Sequence, residues 1–228
     1  MKALSPMIPA AVRSRLTGVA LLTIGLGLPA LGQAHPHGWI DLRMRLIFDD
    51  DGRLEALYQS WRMDPFYSLV VLEELGRAAG EEGLESGLDQ LGMEIRDNLT
   101  PQGYFTELRL DGEPVPLGEV SEYTVMERGG RVEFVFLLPL AEPLPVAGET
   151  LRYQVFDPTY YIEMVHEDDD GTPLDDALVV SGRECVTSII PADPDPERIR
   201  EAAMLDVTDE AEPGLGRHFA ETGEVTCG

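Results

Sequence analysis

Alternation of apolar and polar positions marks the first predicted element of the chain. Every second position from Ile40 to Phe48 is apolar, and this period of two predicts a β-strand with one face in the core. Three aspartates and Gly52 then form a turn signal, after which residues 54–63 resume as a second strand. We expect the two strands to pair antiparallel, because only a short turn joins them.

Apolar residues at the three- and four-residue spacing of an α-helix follow this hairpin in the sequence. Asp64 and Pro65 open a first helix, because proline is favoured in the first helical turn. The predicted buried face of this helix is formed by apolar residues, Leu69, Val70, Leu72 and Leu75. Glycines at positions 80 and 83 end it, and leucine and isoleucine at three- and four-residue spacing predict a second helix over residues 84–99.

Strand patterns return in the second half of the chain. They are predicted at residues 105–110, 123–127, 131–138, 151–156, 160–165 and, in two pieces, 178–190. A short helix over 196–205 and a polar tail to Cys227 complete the chain. These elements predict a single α+β domain, mainly antiparallel, with a two-helix insertion and a short C-terminal helix.

The first 34 residues have the composition of a secretory signal peptide. Lys2, Arg13 and Arg15 precede an apolar stretch, and no acidic residue occurs before Asp41. Small residues at positions 32 and 34 fit a cleavage site after residue 34. The predicted domains are therefore a signal peptide (1–34) and a periplasmic domain (35–228). After cleavage we expect the periplasmic domain not to insert into the membrane. The alternative is an uncleaved membrane anchor, because the apolar run is nearly long enough to span a bilayer.

Composition narrows the classes of function. The 228 residues include 42 Asp+Glu against 17 Lys+Arg and carry a net charge of −25, so we expect no nucleic-acid partner. Lys2 is the only lysine, which excludes a lysine Schiff base or a phosphate-loop lysine in the exported protein. The sequence also lacks a nucleophile motif and a glycine-rich phosphate loop, and we therefore predict neither an enzyme nor an organic cofactor.

Two cysteines, Cys185 and Cys227, lie in the C-terminal quarter of the chain. If the protein is exported to an oxidising compartment, the two cysteines predict a disulfide. This bond would close a long loop and attach the polar tail to the rest of the domain. The alternative is a pair of thiolate metal ligands, although the two residues lack the close spacing of common zinc motifs.

The predicted new amino terminus, His35-Pro36-His37, is the strongest candidate for a metal-binding site in the sequence. A free amine and imidazole rings suit Zn, Ni or Cu, and in a strand His37 shares a face with Asp41. His166 or His218 could add a ligand if the fold brings it near, although each taken alone is typical of a surface residue. The alternative is that the terminal histidines are solvated and bind no metal.

Aromatic residues form a further cluster in the sequence: Trp61, Phe66, Tyr67, Tyr160 and Tyr161. We expect these rings to pack in the core and in hairpins rather than to form a sugar-binding platform.

Four segments of the sequence are distinctive when taken together: Ala34-His35-Pro36-His37, Trp61-Arg62-Met63-Asp64-Pro65-Phe66, Phe156-Asp157-Pro158-Thr159-Tyr160-Tyr161, and Cys185. As a set they resemble a bacterial family, the domain of unknown function 1007. Its members are commonly described as the periplasmic component of an uncharacterised ABC-type transport system. The resemblance implies a periplasmic protein linked to a nickel/cobalt-type membrane transporter. It supports His35 and His37 as metal candidates, with Asp41, Asp64 and Asp157 as weaker partners.

Two hypotheses therefore stand. The protein is either a periplasmic accessory protein that binds a divalent transition metal for a transporter, or a metal-independent interaction module that docks on a membrane transporter or another envelope protein. The second hypothesis predicts binding that is unaffected by His35→Ala and His37→Ala.

Overall fold

Two large β-sheets, a separate two-stranded sheet, a helical hairpin and a short third helix make up the computed structural model, which describes residues 36–78, 83–205, 209 and 211–228. The predicted signal peptide and His35 lie outside these residues. The strands are β1 (Gly38–Phe48), β2 (Leu54–Met63), β3 (Thr106–Leu110), β4 (Glu113–Pro114), β5 (Glu122–Arg128), β6 (Arg131–Leu144), β7 (Thr150–Val155), β8 (Ile162–His166), β9 (Asp168–Asp169), β10 (Thr172–Pro173), β11 (Leu178–Val180), β12 (Cys185–Ile190) and β13 (Thr222–Cys227). The α-helices are α1 (Pro65–Ala78), α2 (Gly83–Leu99) and α3 (Pro196–Met204), and 3-10 segments cover Thr100–Phe105 and Leu215–Phe219.

The first sheet has the order β11-β1-β2-β6-β5, and β8 also pairs with β1. The predicted antiparallel pairing of β1 and β2 is confirmed, with Ile40 opposite Met63 and Leu46 opposite Leu57. Only β8 and β11 lie parallel to β1, and the other pairs of this sheet are antiparallel. The α+β, mainly antiparallel fold class is therefore confirmed.

The second sheet has the order β12-β13-β7-β3-β4 and is antiparallel throughout. Our prediction of a polar tail is wrong for β13, which lies in the middle of this sheet. Gly223, Val225 and Cys227 are buried, and the polar residues between them are not. Only Val225 is a large aliphatic residue, so the period of two is too weak to recognise in the sequence.

The inner faces of the two sheets share one hydrophobic core. Trp61 of β2 lies near its centre and packs edge-on against Phe136, with ring centroids 5.1 Å apart. The indole Nε1 donates a hydrogen bond of 2.9 Å to the Gln59 side chain, which in turn donates one of 3.0 Å to Thr106 Oγ1 of β3. These two bonds satisfy the buried polar groups and join the first sheet to the second.

The helical hairpin closes the part of the core next to β5 and β6. On α2, Gly92 allows close approach, because a Cβ there would lie 3.2 Å from the Tyr123 ring. On α1, Ser68 is buried and its hydroxyl accepts a hydrogen bond of 3.0 Å from Val132 N. No helix among these described residues is long and apolar enough to span a membrane.

Our prediction for the buried face of α1 is half wrong. Leu72 and Leu75 pack against the core, whereas Leu69 and Val70 are exposed. The contact of Ser68 with β6 fixes the rotation of the helix, and residues one and two positions after Ser68 then point away from the core.

The predicted disulfide joins Cys185 and Cys227, which lie directly opposite each other on β12 and β13. It fastens the edge strand β12 to its neighbour β13, which is an interior strand of the second sheet. No free cysteine occurs among the described residues.

Candidate functional site

An apolar groove of about 470 Å³ opens where β1, β2, α1 and α2 meet the segment that leads into β8. We call it the aromatic groove, because six aromatic side chains line it: Trp39, Trp61, Phe66, Tyr67, Phe105 and Tyr161. Concave apolar surfaces with a few polar groups are typical of binding sites.

The cap of α1 builds one wall of the aromatic groove. One carboxylate oxygen of Asp64 accepts hydrogen bonds from Phe66 N and Tyr67 N, both at 2.9 Å, as an N-cap aspartate does. Asp64 N donates to Trp39 O at 3.0 Å, which ties the helix start to β1. A Cβ at position 38 would lie 2.8 Å from the other oxygen of Asp64, so Gly38 is required for this close approach.

A second aspartate, Asp157, orders the turn that brings Tyr161 and Ile162 to the groove. Asp157 Oδ1 accepts hydrogen bonds from the backbone N and hydroxyl of Thr159, at 2.9 and 2.8 Å, and its Oδ2 accepts one from Ile162 N at 3.1 Å. This turn places Tyr161 next to the start of β1, where Tyr161 O accepts a hydrogen bond of 2.9 Å from His37 N. The rings of Tyr161 and His37 lie 4.5 Å apart.

Several rings of the groove are exposed to solvent. Trp61 and Tyr160 are buried, as the sequence predicts. Phe66, Tyr67 and Tyr161 are exposed, with Phe66 at 75%, so the prediction of core packing is wrong for these three residues. Exposed apolar side chains that adjoin one another mark binding surfaces more often than isolated ones do.

The described metal candidates lie at separate positions, and His35 is outside the described residues. His37 is exposed at the lip of the groove. Asp41 pairs with Arg131, with 2.5 Å between Oδ2 and Nη1. Asp64 and Asp157 use their carboxylates to cap the helix and the turn described above.

His166 does not join His37. Gly38 pairs with Ile162 and Leu42 with His166 on neighbouring parallel strands, so the two histidines lie about 16 Å apart along the strand direction. They also project to opposite faces of the sheet, since His37 lies five positions before Leu42, the partner of His166, and alternate residues of a strand share a face. His218 is exposed in the segment Leu215–Phe219. Across the part of the chain that the structure describes, no group of three His, Cys, Asp or Glu residues is arranged to hold a metal ion.

His166 is instead part of a buried polar network, and the expectation of a surface residue is wrong for it. Only 3% of its surface is exposed. Its Nε2 lies 2.7 Å from the hydroxyl of Tyr153, and its Nδ1 lies 2.8 Å from Glu221 Oε2, which also accepts a hydrogen bond from His166 N at 2.7 Å. No sequence signal indicates this network, because the acidic run after His166 is typical of an exposed loop.

The charge state of Glu221 fixes the proton positions in this network. Burial opposes ionisation of Glu221, but hydrogen bonds from the ring and backbone of His166 hold its pKa below the usual value. A carboxylate only accepts hydrogen bonds, so we assign a proton of His166 to Nδ1, and in that tautomer Nε2 accepts from the Tyr153 hydroxyl. Burial, together with the charge of Glu221, raises the pKa of Tyr153 well above its ordinary value, which keeps the hydroxyl a donor.

Comparison with known proteins agrees with the resemblance of the motifs. Residues 20–227 match the sequence model of a family described as "Protein of unknown function (DUF1007)". The chain belongs to the DUF1007 family. One relative is a Haemophilus influenzae protein described as uncharacterized, 25% identical over 213 residues, which are 90% of this chain and 97% of the relative. No solved structure matches the chain.

In this DUF1007 protein, segments that carry the family resemblance meet at the aromatic groove. His37, Asp64, Phe66 and Tyr161, which belong to three of these segments, line the groove, and Asp157 orders the turn that carries Tyr161. Both aspartates act in the same way, because each orders the following turn by accepting backbone hydrogen bonds and so presents an aromatic side chain to the groove.

Proposed function

We propose that this DUF1007 protein is an exported binding protein that docks on an envelope partner through the aromatic groove. The observation that carries the proposal is the convergence of the family's segments on one groove with exposed aromatic rings. Aromatic residues at a concave surface are the usual anchors of protein interfaces. The exposed side chains of Leu69 and Val70 extend the apolar surface along α1. This proposal concerns binding and involves no catalytic step.

Export to the periplasm is the second part of the proposal. The leader-like composition of residues 1–34 supports it, and so does the disulfide between Cys185 and Cys227, since disulfides persist in oxidising compartments. The partner we expect is a component of a membrane transporter, because the family resemblance links its members to transport systems.

Binding to envelope membranes from the native host tests this proposal. Labelled protein beginning at His35 is titrated onto washed membranes, and we expect saturable binding that is lost after the membranes are treated with protease. Phe66→Ser should weaken binding about tenfold or more, as expected when an interface anchor is removed. Phe66 is mostly exposed, so this change should leave the fold intact.

Met204→Ser is the matched control for Phe66→Ser. Met204 is 83% exposed and does not line the groove, so this variant should bind like the wild type. Equal binding by both variants, or binding that survives protease treatment of the membranes, would contradict docking through the groove.

A second candidate function is binding of Zn, Ni or Cu at the exported amino terminus. The observation that favours it is the exposed position of His37 at the lip of the groove. The described residues offer no cluster that completes such a site, so the free amine and His35 would have to supply the other ligands.

Calorimetric titration with the three metal ions tests this candidate. Protein that begins at His35 is compared with a copy that carries one extra residue before it, both without tags. Micromolar binding that the extra residue abolishes supports the amine-histidine site. Absence of binding in both proteins rejects it and leaves docking through the groove unaffected.

A further inference from the structure

We infer that the aromatic groove recognises a positively charged side chain of the partner, flanked by apolar residues. The inference rests on the proposed docking function and specifies the chemistry of the segment that docks. Aromatic faces attract cations, because the ring quadrupole is negative at the face, and the attraction increases when water is excluded.

The electrostatics of the groove match a cation. Among the described residues that line it, none is lysine or arginine, and Asp64 is the only carboxylate. Four of the described arginines line a separate cavity of about 290 Å³: Arg43, Arg45, Arg62 and Arg128. The described lining therefore holds no arginine or lysine that would compete with a cation of the partner.

Two carboxylates near the groove, those of Asp64 and Glu74, also act electrostatically on one of its aromatic rings, Tyr67. Burial, then the charges of Asp64 and Glu74, raise the pKa of Tyr67, so two carboxylates act on a ring that lines the groove. The carboxylate of Asp64 is held in place by the backbone of α1. A cation in the groove would be attracted both by these charges and by the aromatic faces.

The same charges disfavour other occupants of the groove. An anionic lipid surface attracts basic segments, and this groove has none. A second copy of the chain would bring another net charge of −25 against the first, and like charges oppose association. A basic partner segment with apolar side chains is the occupant that fits both the charge and the apolar lining.

Three peptides that differ only at the central residue test this inference. The probe is acetyl-Gly-Leu-Arg-Leu-Gly-amide, and its matched controls replace arginine by citrulline, which has nearly the same shape but no charge, or by glutamate. Binding to protein beginning at His35 is read from tryptophan fluorescence, because both tryptophans of the chain line the groove. We expect the arginine peptide to bind about three- to thirtyfold more tightly than the citrulline peptide, and the glutamate peptide to bind most weakly.

Replacing the Phe66 ring by an aliphatic side chain removes the aromatic face but keeps an apolar surface. This change separates attraction between the cation and the ring from simple hydrophobic binding. Phe66→Leu should weaken binding of the arginine peptide more than binding of the citrulline peptide, and so reduce the preference for arginine. Met204→Leu, far along the chain on α3 and outside the groove, should change neither value. Glu74→Gln should also lower the preference for arginine, because it removes one of the two nearby charges.

The possible results distinguish this inference from the docking proposal. Equal binding of the three peptides, or no binding of any at millimolar concentration, overturns recognition of a cation. Dimerisation that Phe66→Ser abolishes, or binding to anionic vesicles, would also overturn it by identifying another occupant. Docking on a partner protein is judged separately by protease-sensitive binding to envelope membranes.

Discussion

Removal of one hydroxyl should destabilise the protein through the network of Tyr153, His166 and Glu221. In Tyr153→Phe, the ring that packs in the core remains, and only the hydrogen bond of 2.7 Å to His166 Nε2 is lost. Because Glu221 accepts from Nδ1, the ring of His166 cannot turn to satisfy Nε2 without breaking that second bond. The variant therefore leaves a buried acceptor without a partner.

The size of the effect follows from burial. Tyr153 is 1% and His166 3% exposed, so water does not replace the lost donor in the folded protein. A buried polar group that loses its partner costs about 1–3 kcal/mol. We therefore expect the free energy of unfolding of Tyr153→Phe to fall by about that amount.

Urea unfolding at neutral pH with the disulfide intact measures this difference, with circular dichroism as the probe. The midpoint should fall with little change in the denaturant slope, because the surface exposed on unfolding is nearly the same. Tyr58→Phe is the matched control. Tyr58 is exposed, and its variant should lose less than about 0.5 kcal/mol. Equal stability of the two variants would refute the assigned network.

Three further predictions concern the same half of the protein. Replacement of Cys185 and Cys227 by alanine should lower the free energy of unfolding by up to roughly 4 kcal/mol, since the disulfide spans 42 positions; unfolding that is insensitive to reductant would contradict this. Gly223→Ala should destabilise by about 1–3 kcal/mol, because a Cβ there would lie 2.1 Å from the Tyr153 ring, and a wild-type Tm would contradict the close packing. Burial raises the pKa of Glu163 above 4.5, so the wild type loses stability as pH rises from about 4.5 through the higher folded pKa. Glu163→Gln should consequently gain stability relative to wild type above that window and not below it, and parallel pH profiles would contradict the raised pKa.

The elements with strong local patterns could be predicted from the sequence. The hairpin of β1 and β2 has a strict alternation on β1 and a turn of aspartates and glycine, and its register and direction follow from them. The strand β13 was missed because glycine and cysteine occupy two of its three inward positions. Neither residue gives the hydrophobic signal on which the period of two depends.

The aromatic groove could not be predicted from the sequence, although four of its six aromatic residues belong to the aromatic cluster of the sequence. The hairpin of β1 and β2 brings Trp39 near Phe66, but Tyr161 joins them only because β8 pairs in parallel with β1. A parallel pairing over such a separation leaves no local turn signal, unlike a hairpin. The exposure of Phe66 depends on the rotation of α1, which Ser68 fixes through a contact with β6.

Site-specific photo-crosslinking in intact cells of the native host tests docking through the groove most directly. A photoreactive side chain replaces Phe66 in one strain and Met204 in another, two positions that are exposed to a similar degree. We predict a discrete adduct with a membrane transporter component from position 66 and none above background from position 204. Adducts of equal yield from both positions, or none from position 66, would contradict docking through the aromatic groove.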